Sequence, residues 1–203
     1  MNDNEREAIN KELALIEEGD KEKIKKYIYC HCFSDEAEIA FVKQRDADEI
    51  KMYGFHHRFS EKAQLAIIKE CSTDKIEAYT SERNFCDEAE LALIKMGTTE
   101  EIKAYISKYW LFGGTQIALL ERGNKDEIGL LISSWYFSNE AQSLFVEKRD
   151  TEEIKTYISK GGFCDKAQIA LINRKEVDLI KFYASKRGFC REAQILLTDY
   201  VVF

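Results

Sequence analysis

Four thiol and imidazole groups lie close together in the first third of the sequence. Cys30 and Cys32 are separated by one residue, and His56 and His57 follow them. Thiolate sulfur and imidazole nitrogen are the ligands that zinc prefers in proteins, so these four side chains could converge on one zinc ion. Cys ligands of structural zinc sites usually have about two to four residues between them, which this pair lacks. We therefore expect no metal or other cofactor and keep zinc as the alternative.

Four aromatic residues form a second candidate site at two corresponding places later in the sequence. Tyr109 and Trp110 occupy the first place, and Trp135 and Tyr136 the second; both Trp residues of the chain are among them. Trp and Tyr are enriched in binding hot spots, so this cluster predicts a site for a protein or peptide. The alternative, which we favour, is that Trp110 and Tyr136 replace Phe in the packing between neighbouring segments and compensate for the unusual residues 111–114.

A series of amide and carboxylate side chains recurs along the chain. Its members are Glu12, Glu38, Gln64, Glu90, Gln116, Gln142, Gln168 and Gln194. The amides of Gln116, Gln142 and Gln168 could bind a peptide backbone along the concave face of the fold. The alternative, which we favour, is that each side chain satisfies loop backbone groups of the adjacent segment, because buried polar groups must be satisfied.

No pattern for catalysis is present. The three His residues fall in two adjacent segments, and the sequence contains no Gly-rich phosphate loop and no His-Glu-x-x-His motif. We expect a protein that is not an enzyme.

All these residues belong to one tandem repeat. Ala37, Ala63 and Ala89 are spaced 26 residues apart, and the same spacing continues to Ala193 without insertion or deletion. The repeats are 7–32, 33–58, 59–84, 85–110, 111–136, 137–162, 163–188 and a partial repeat 189–203. A period of 20 to 50 residues is typical of solenoids.

Each repeat contains the signals for two short helices. The first helix follows a Phe and an N-cap Ser or Cys, as at Ser34 and Cys86. Gly19, Gly97 and Gly123 stand where a left-handed residue would end it. The second helix begins with a predicted capping box in four repeats. These boxes pair Asp46 with Glu49, Thr98 with Glu101, Asn124 with Glu127, and Asp150 with Glu153.

Such helix pairs bury their apolar faces only by stacking, so we expect one all-α domain over 1–203, an α-solenoid of about seven and a half helix-turn-helix repeats. The segments Phe-Cys-Asp-Glu-Ala-Glu-Leu-Ala-Leu-Ile (85–94) and Glu-Glu-Ile-Lys-Ala-Tyr-Ile-Ser (100–107) resemble the short helical repeats of bacterial proteins, specifically the leucine-rich repeat variant and HEAT-like families. The resemblance implies the architecture and a bacterial source. The iron–sulfur cysteines of the leucine-rich variants have no counterpart.

Composition and charge argue against some classes of function. The chain has a net charge of −7, a pI near 5.2 and a mean hydropathy of −0.41, which argues against nucleic acid and a membrane as partners. The polar start lacks a signal peptide, so we expect a cytoplasmic protein with reduced thiols. The leading hypothesis is a non-enzymatic scaffold that binds a protein or peptide through its concave face and variable inter-repeat loops.

Two alternatives stay open. Repeat 163–188 carries six basic and three acidic residues, net +3, which supports a nucleic-acid-binding protein of the HEAT-like kind. A structural or assembly role is the other. We favour a monomer in which the apolar C-terminal residues Leu196, Leu197 and Tyr200–Phe203 fold back over the last complete repeat, and a homodimer through these residues is the alternative.

Overall fold

The computed structural model describes residues 3–200, with side chains through residue 198. This stretch contains fifteen α-helices and no strand. The helices pack against their neighbours in a regular series, which confirms the predicted α-solenoid. The expected plug or dimer contact of Val201, Val202 and Phe203 lies outside the described residues.

The chain divides into two compact units, Met1–Tyr105 and Ile106–Phe203. The helices that begin in the first unit are α1 Asp3–Glu18, α2 Lys21–Cys30, α3 Asp35–Gln44, α4 Ala47–His56, α5 Glu61–Glu70, α6 Thr73–Glu82, α7 Asp87–Met96 and α8 Thr99–Ile106. Those of the second unit are α9 Gly113–Arg122, α10 Lys125–Ser134, α11 Asn139–Lys148, α12 Thr151–Lys160, α13 Asp165–Asn173, α14 Val177–Lys186 and α15 Arg191–Tyr200.

Helix starts reproduce the 26-residue period. From α3 onward in the first unit, the odd-numbered helices begin at Asp35, Glu61 and Asp87. In the second unit they begin at Gly113, Asn139, Asp165 and Arg191. Helix α1 begins at Asp3, earlier than the repeat predicts, and residues 3–8 are exposed. The N-terminal helix is thus a lengthened copy of the repeat's first helix.

Caps explain why the helices begin where they do. The hydroxyls of Ser34, Ser60 and Ser138 each accept the backbone N–H three residues later, whereas Cys86 and Cys164 occupy the same position without a side-chain cap bond. Cys therefore keeps the extended backbone of the cap position but loses the hydrogen bond.

Three of the four predicted capping boxes are complete. They join Asp46 to Glu49, Thr98 to Glu101 and Asp150 to Glu153. The fourth is half formed. Asn124 accepts the N–H groups of Asp126 and Glu127, but the carboxylate of Glu127 is buried without a hydrogen bond, and its Oε2 lies 3.3 Å from Nε of Arg122.

The glycines that end the first helices do not all act as predicted. Gly19 (φ 73°) and Gly123 (φ 78°) are left-handed, but Gly97 has φ −68°. Gly97 is needed for space instead, because a Cβ there would lie 2.6 Å from the carbonyl oxygen of Leu93. In a later repeat the left-handed residue is Lys175 (φ 61°).

Alternating Tyr and Phe rings run through the core of each unit. In the first unit consecutive ring centroids are 4.4–5.7 Å apart along Tyr27, Phe33, Tyr53, Phe59, Tyr79, Phe85 and Tyr105. In the second they follow at 4.8–5.7 Å along Phe137, Tyr157, Phe163, Tyr183 and Phe189. Each interior ring of a row contacts one ring of its own repeat and one of an adjacent repeat, so the repeats within each unit share one continuous core.

Candidate functional site

In several repeats the residue that follows the second helix closes the end of the preceding repeat's second helix. Trp135 donates from Nε1 to the carbonyl oxygen of Ile106 at 2.7 Å. Arg83 donates from Nε to Gly54 at 2.9 Å, again 29 residues earlier, and His57 places Nε2 2.5 Å from the oxygen of Ile28. The last carbonyls of a helix have no partner within it. The variable loops therefore have a packing role in these repeats, in addition to any binding role.

One repeat achieves the same closure from the neighbouring position. Gly161 has no side chain to donate, and the amine of Lys160 lies 3.2 Å from the carbonyl oxygen of Ile132 and 3.1 Å from that of Ser133. Residues of different types thus bring an N–H donor to this point.

The four predicted aromatic residues lie in the second unit, and two of them are in direct contact. The rings of Trp110 and Trp135 are perpendicular, with centroids 5.5 Å apart and an interplanar angle of 71°. Trp135 is half-buried and fixed by its bond to Ile106, whereas Trp110 is 47% exposed. Tyr109 is half-buried, with the amine of Lys108 5.5 Å from its ring centroid.

Tyr136 is held against the next repeat. A Cβ on Gly161 would lie 2.7 Å from Cε1 of Tyr136, so the ring rests directly on that glycine. The amine of Lys160 is 4.8 Å from the ring centroid, within the range of a cation–π contact. Even so, 49% of Tyr136 is exposed, and Phe112, which we did not predict as a site residue, is 41% exposed. We call Tyr109, Trp110, Phe112, Trp135 and Tyr136 the aromatic surface.

The three amides predicted to bind a peptide are buried. Gln116, Gln142 and Gln168 each accept the backbone N–H of the next repeat's N-cap residue and donate to a carbonyl five residues earlier. Both ends of each amide are thus bonded to the chain itself. These are the hydrogen bonds expected for the stacking role.

The predicted zinc ligands meet only as a pair. Sγ of Cys32 lies 3.2 Å from Nδ1 of His57, while Cys30 is exposed and His56 packs against Tyr29 with ring centroids 4.5 Å apart. Among the described residues, none of these four belongs to a group of three possible ligands within 4.8 Å of one another. Asp165, Cys190 and Glu192 do form such a group, at the surface of the second unit.

Sequence reasoning missed a second exposed aromatic group. Tyr29 and Phe55 occupy equivalent positions on α2 and α4, are 59% and 65% exposed, and both contact His56. The later complete repeats have Ser at this position, from Ser81 onward, and that contrast was the available signal.

Part of the positive charge of repeat 163–188 is used in contacts within the protein. The guanidinium of Arg174 donates to the carbonyl oxygens of Val146 and Arg149 and pairs with Glu176. Lys166, Lys181 and Arg187 remain exposed.

The helices, their period and their shared core define the chain as a helical tandem-repeat protein. No protein-family model, curated protein or solved structure matches it. Among the helices of the described part of the chain, none has both the length and the apolar character that crossing a membrane requires.

Proposed function

We propose that this protein is a non-enzymatic scaffold that binds a protein or peptide through its variable inter-repeat loops, and that the aromatic surface is the main contact. The observation that carries the proposal is the exposure of Trp110 and Tyr136, each close to one half, on supports that are fixed. Burying the exposed part of such rings in a partner provides much of the free energy of binding at hot spots.

Preorganisation supports this role. Trp135 is fixed by its hydrogen bond to Ile106 and packs in a T-shaped contact with the ring of Trp110. Gly161 and Lys160 support the ring of Tyr136. Rings that are already positioned lose little conformational entropy on binding. The partner we expect is a segment with apolar anchor side chains.

The test is a selection from random peptides displayed on phage. Peptides enriched on the protein are then measured against a Trp110→Ala/Tyr136→Ala variant by fluorescence polarisation. The matched control is Tyr29→Ala/Phe55→Ala, which removes two exposed aromatic residues from the other unit. We expect the first variant to weaken binding about 30-fold or more, which corresponds to about 2 kcal/mol, and the control to leave it unchanged.

Two results would contradict the proposal. One is the absence of any peptide enriched above the level found on an unrelated protein. The other is equal binding to both double variants. A salt-dependent shift of the protein on heparin or DNA would instead favour the nucleic-acid alternative.

A further inference from the structure

Cys32 and His57 form a thiol–imidazole pair that neither the repeat architecture nor the proposed binding function requires. Sγ of Cys32 is 3.2 Å from Nδ1 of His57, and Cys32 is exposed. The two residues come from successive repeats and meet because α2 and α4 stack side by side. The equivalent loop positions of later repeats carry no such pair, so this contact is specific to the first two repeats.

A backbone carbonyl group fixes the tautomer of His57, and therefore which ring nitrogen can act as a base toward the thiol. Nε2 lies 2.5 Å from the carbonyl oxygen of Ile28, which can only accept a hydrogen bond, so Nε2 carries the proton. Nδ1 of a neutral ring is then the unprotonated nitrogen, and it faces Sγ of Cys32. A nucleophile, a base within hydrogen-bond distance and a third group that orients the base are the arrangement that activates cysteines.

We propose that Cys32 is a reactive cysteine, activated by His57, that forms mixed disulfides with low-molecular-weight disulfides such as oxidised glutathione. Sγ attacks one sulfur of the disulfide, so that an Sγ–S bond forms and the S–S bond breaks. The departing thiolate leaves with the electron pair of that bond. The proton of the Cys32 thiol passes to Nδ1 of His57 and from there to the departing thiolate, so the exchange needs no other oxidant.

The chain contains its own control for accessibility. Cys30 is also exposed and only two residues away, but the described residues provide it with no imidazole within hydrogen-bond distance. Any difference in reactivity between the two thiols therefore reports the effect of His57 and not exposure alone.

The first experiment measures alkylation by iodoacetamide at pH 7 on the full chain, with each Cys followed by peptide mass spectrometry. We expect Cys32 to react about tenfold faster than Cys30 or more. In His57→Gln, we expect the rate at Cys32 to fall to that of Cys30, with no change at Cys30.

A second variant guards against a folding defect in the first. His57→Trp introduces the donor that the fold already uses at Trp135, but not a base. Both variants should keep the melting temperature within a few degrees while losing the fast alkylation. The second experiment exposes wild type, Cys32→Ser and Cys30→Ser to oxidised glutathione; wild type and Cys30→Ser should form the mixed disulfide, and Cys32→Ser should not.

Equal alkylation rates for the two thiols in the wild type would overturn the proposal. So would a Cys32 rate that either folded His57 variant leaves unchanged. Formation of the mixed disulfide on Cys30 in preference to Cys32 would likewise show that His57 does not activate its neighbour.

Discussion

The phenol of Tyr53 donates a hydrogen bond to Oε1 of Glu38 at 2.7 Å, and both groups are buried. The same phenol oxygen accepts the backbone N–H of Phe33, and Oε2 of Glu38 accepts that of Ser60 in the next repeat. One buried carboxylate therefore connects the two helices of its repeat with the start of the following one. In the next repeat, the amide oxygen of Gln64 accepts the equivalent N–H of Cys86, but the amide nitrogen donates to the carbonyl oxygen of Phe59 instead of accepting a hydrogen bond from a phenol.

Glu38→Ala should destabilise the protein by about 2–4 kcal/mol, because the N–H of Ser60 and the hydroxyl of Tyr53 lose their acceptor in the interior. Glu38→Gln should cost less, about 1–2 kcal/mol. Gln64 shows that an amide accepts the equivalent N–H, but the hydroxyl of Tyr53 still loses its acceptor, as the buried hydroxyl of Tyr79 has none among the described residues. Urea denaturation followed by circular dichroism measures both. Equal losses in the two variants would show that the carboxylate's hydrogen bonds are not what matters.

The same carboxyl group should give stability a dependence on pH. Burial raises the pKa of Glu38 above its ordinary value of 4.5, against the opposing hydrogen bonds from Ser60 and Tyr53. The folded state thus holds this proton more tightly than the unfolded state, so the group's contribution is complete below pH 4.5 and is lost as the pH rises through the raised value.

Glu38→Gln removes that titration. The free energy of unfolding of the variant relative to wild type should increase as the pH rises from about 4.5 to 7. Taking this difference removes the contributions of carboxyl groups that both proteins share, such as Asp46 and Asp150. The side-chain hydrogen bond from Lys21 lowers the pKa of Asp46, and the backbone N–H of Glu153 lowers the pKa of Asp150. A difference that stays constant over this range would contradict the assignment.

Gly97→Ala should destabilise the protein by about 1–3 kcal/mol. The added methyl carbon would lie 2.6 Å from the backbone oxygen of Leu93 and 2.9 Å from Cδ1 of the Leu93 side chain. Gly129→Ala is the control. Gly129 lies inside α10 with nothing within 4 Å of the added carbon, so this change should stabilise by about 0.5–1 kcal/mol through helix propensity. Thermal melts of the two variants should shift in opposite directions.

Trp135→Phe should cost about 1 kcal/mol, since it keeps a ring beside Trp110 but leaves the carbonyl of Ile106 without its indole donor. Trp110→Phe, which keeps the ring at an exposed position, should stay within about 0.5 kcal/mol of wild type. If both variants unfold at the same urea concentration, the closure of the helix end by the indole contributes nothing measurable.

Zinc should be well below one equivalent in the purified protein, and a chelator should leave the melting temperature unchanged. The reason is that only Cys32 and His57 of the four candidate ligands meet, and Nε2 of His57 is directed at a backbone oxygen. Stoichiometric zinc that Cys30→Ser/His56→Ala abolishes would show that the loops rearrange around a metal.

The period and the caps were accessible from the sequence because they depend on residues at most a few positions apart. Ser34 and Asp46 mark helix starts in any context, and recurrent Ala positions fix the register. The closure of one helix end by Trp135 or Arg83 was not accessible. It depends on a distance across repeats between a side chain and a carbonyl 29 residues earlier, and unrelated residue types satisfy it.

Gly97 shows the same limit of sequence-based prediction for a backbone position. Its position suggested a left-handed residue, but whether glycine is needed for its torsion angle or for its lack of a side chain depends on the neighbouring Leu93 carbonyl. The residue types of the candidate site could be read from the sequence, but their contacts could not. Trp110 and Trp135 do meet, while the buried amides, exemplified by Gln142, were separable from a binding face only once burial was known.

The hydrogen bond between the sixth residue of one repeat and the second residue of the next has a consequence for how such a chain changes length. Glu12 accepts the N–H of Ser34 just as Glu38 accepts that of Ser60, so excising residues 33–58 would bring Glu12 opposite Ser60 with this donor and acceptor still matched. Unequal recombination between whole copies thus leaves each junction chemically intact, whereas a cut of any other length breaks it. Selection can therefore lengthen or shorten the array in steps of one copy without redesigning this contact.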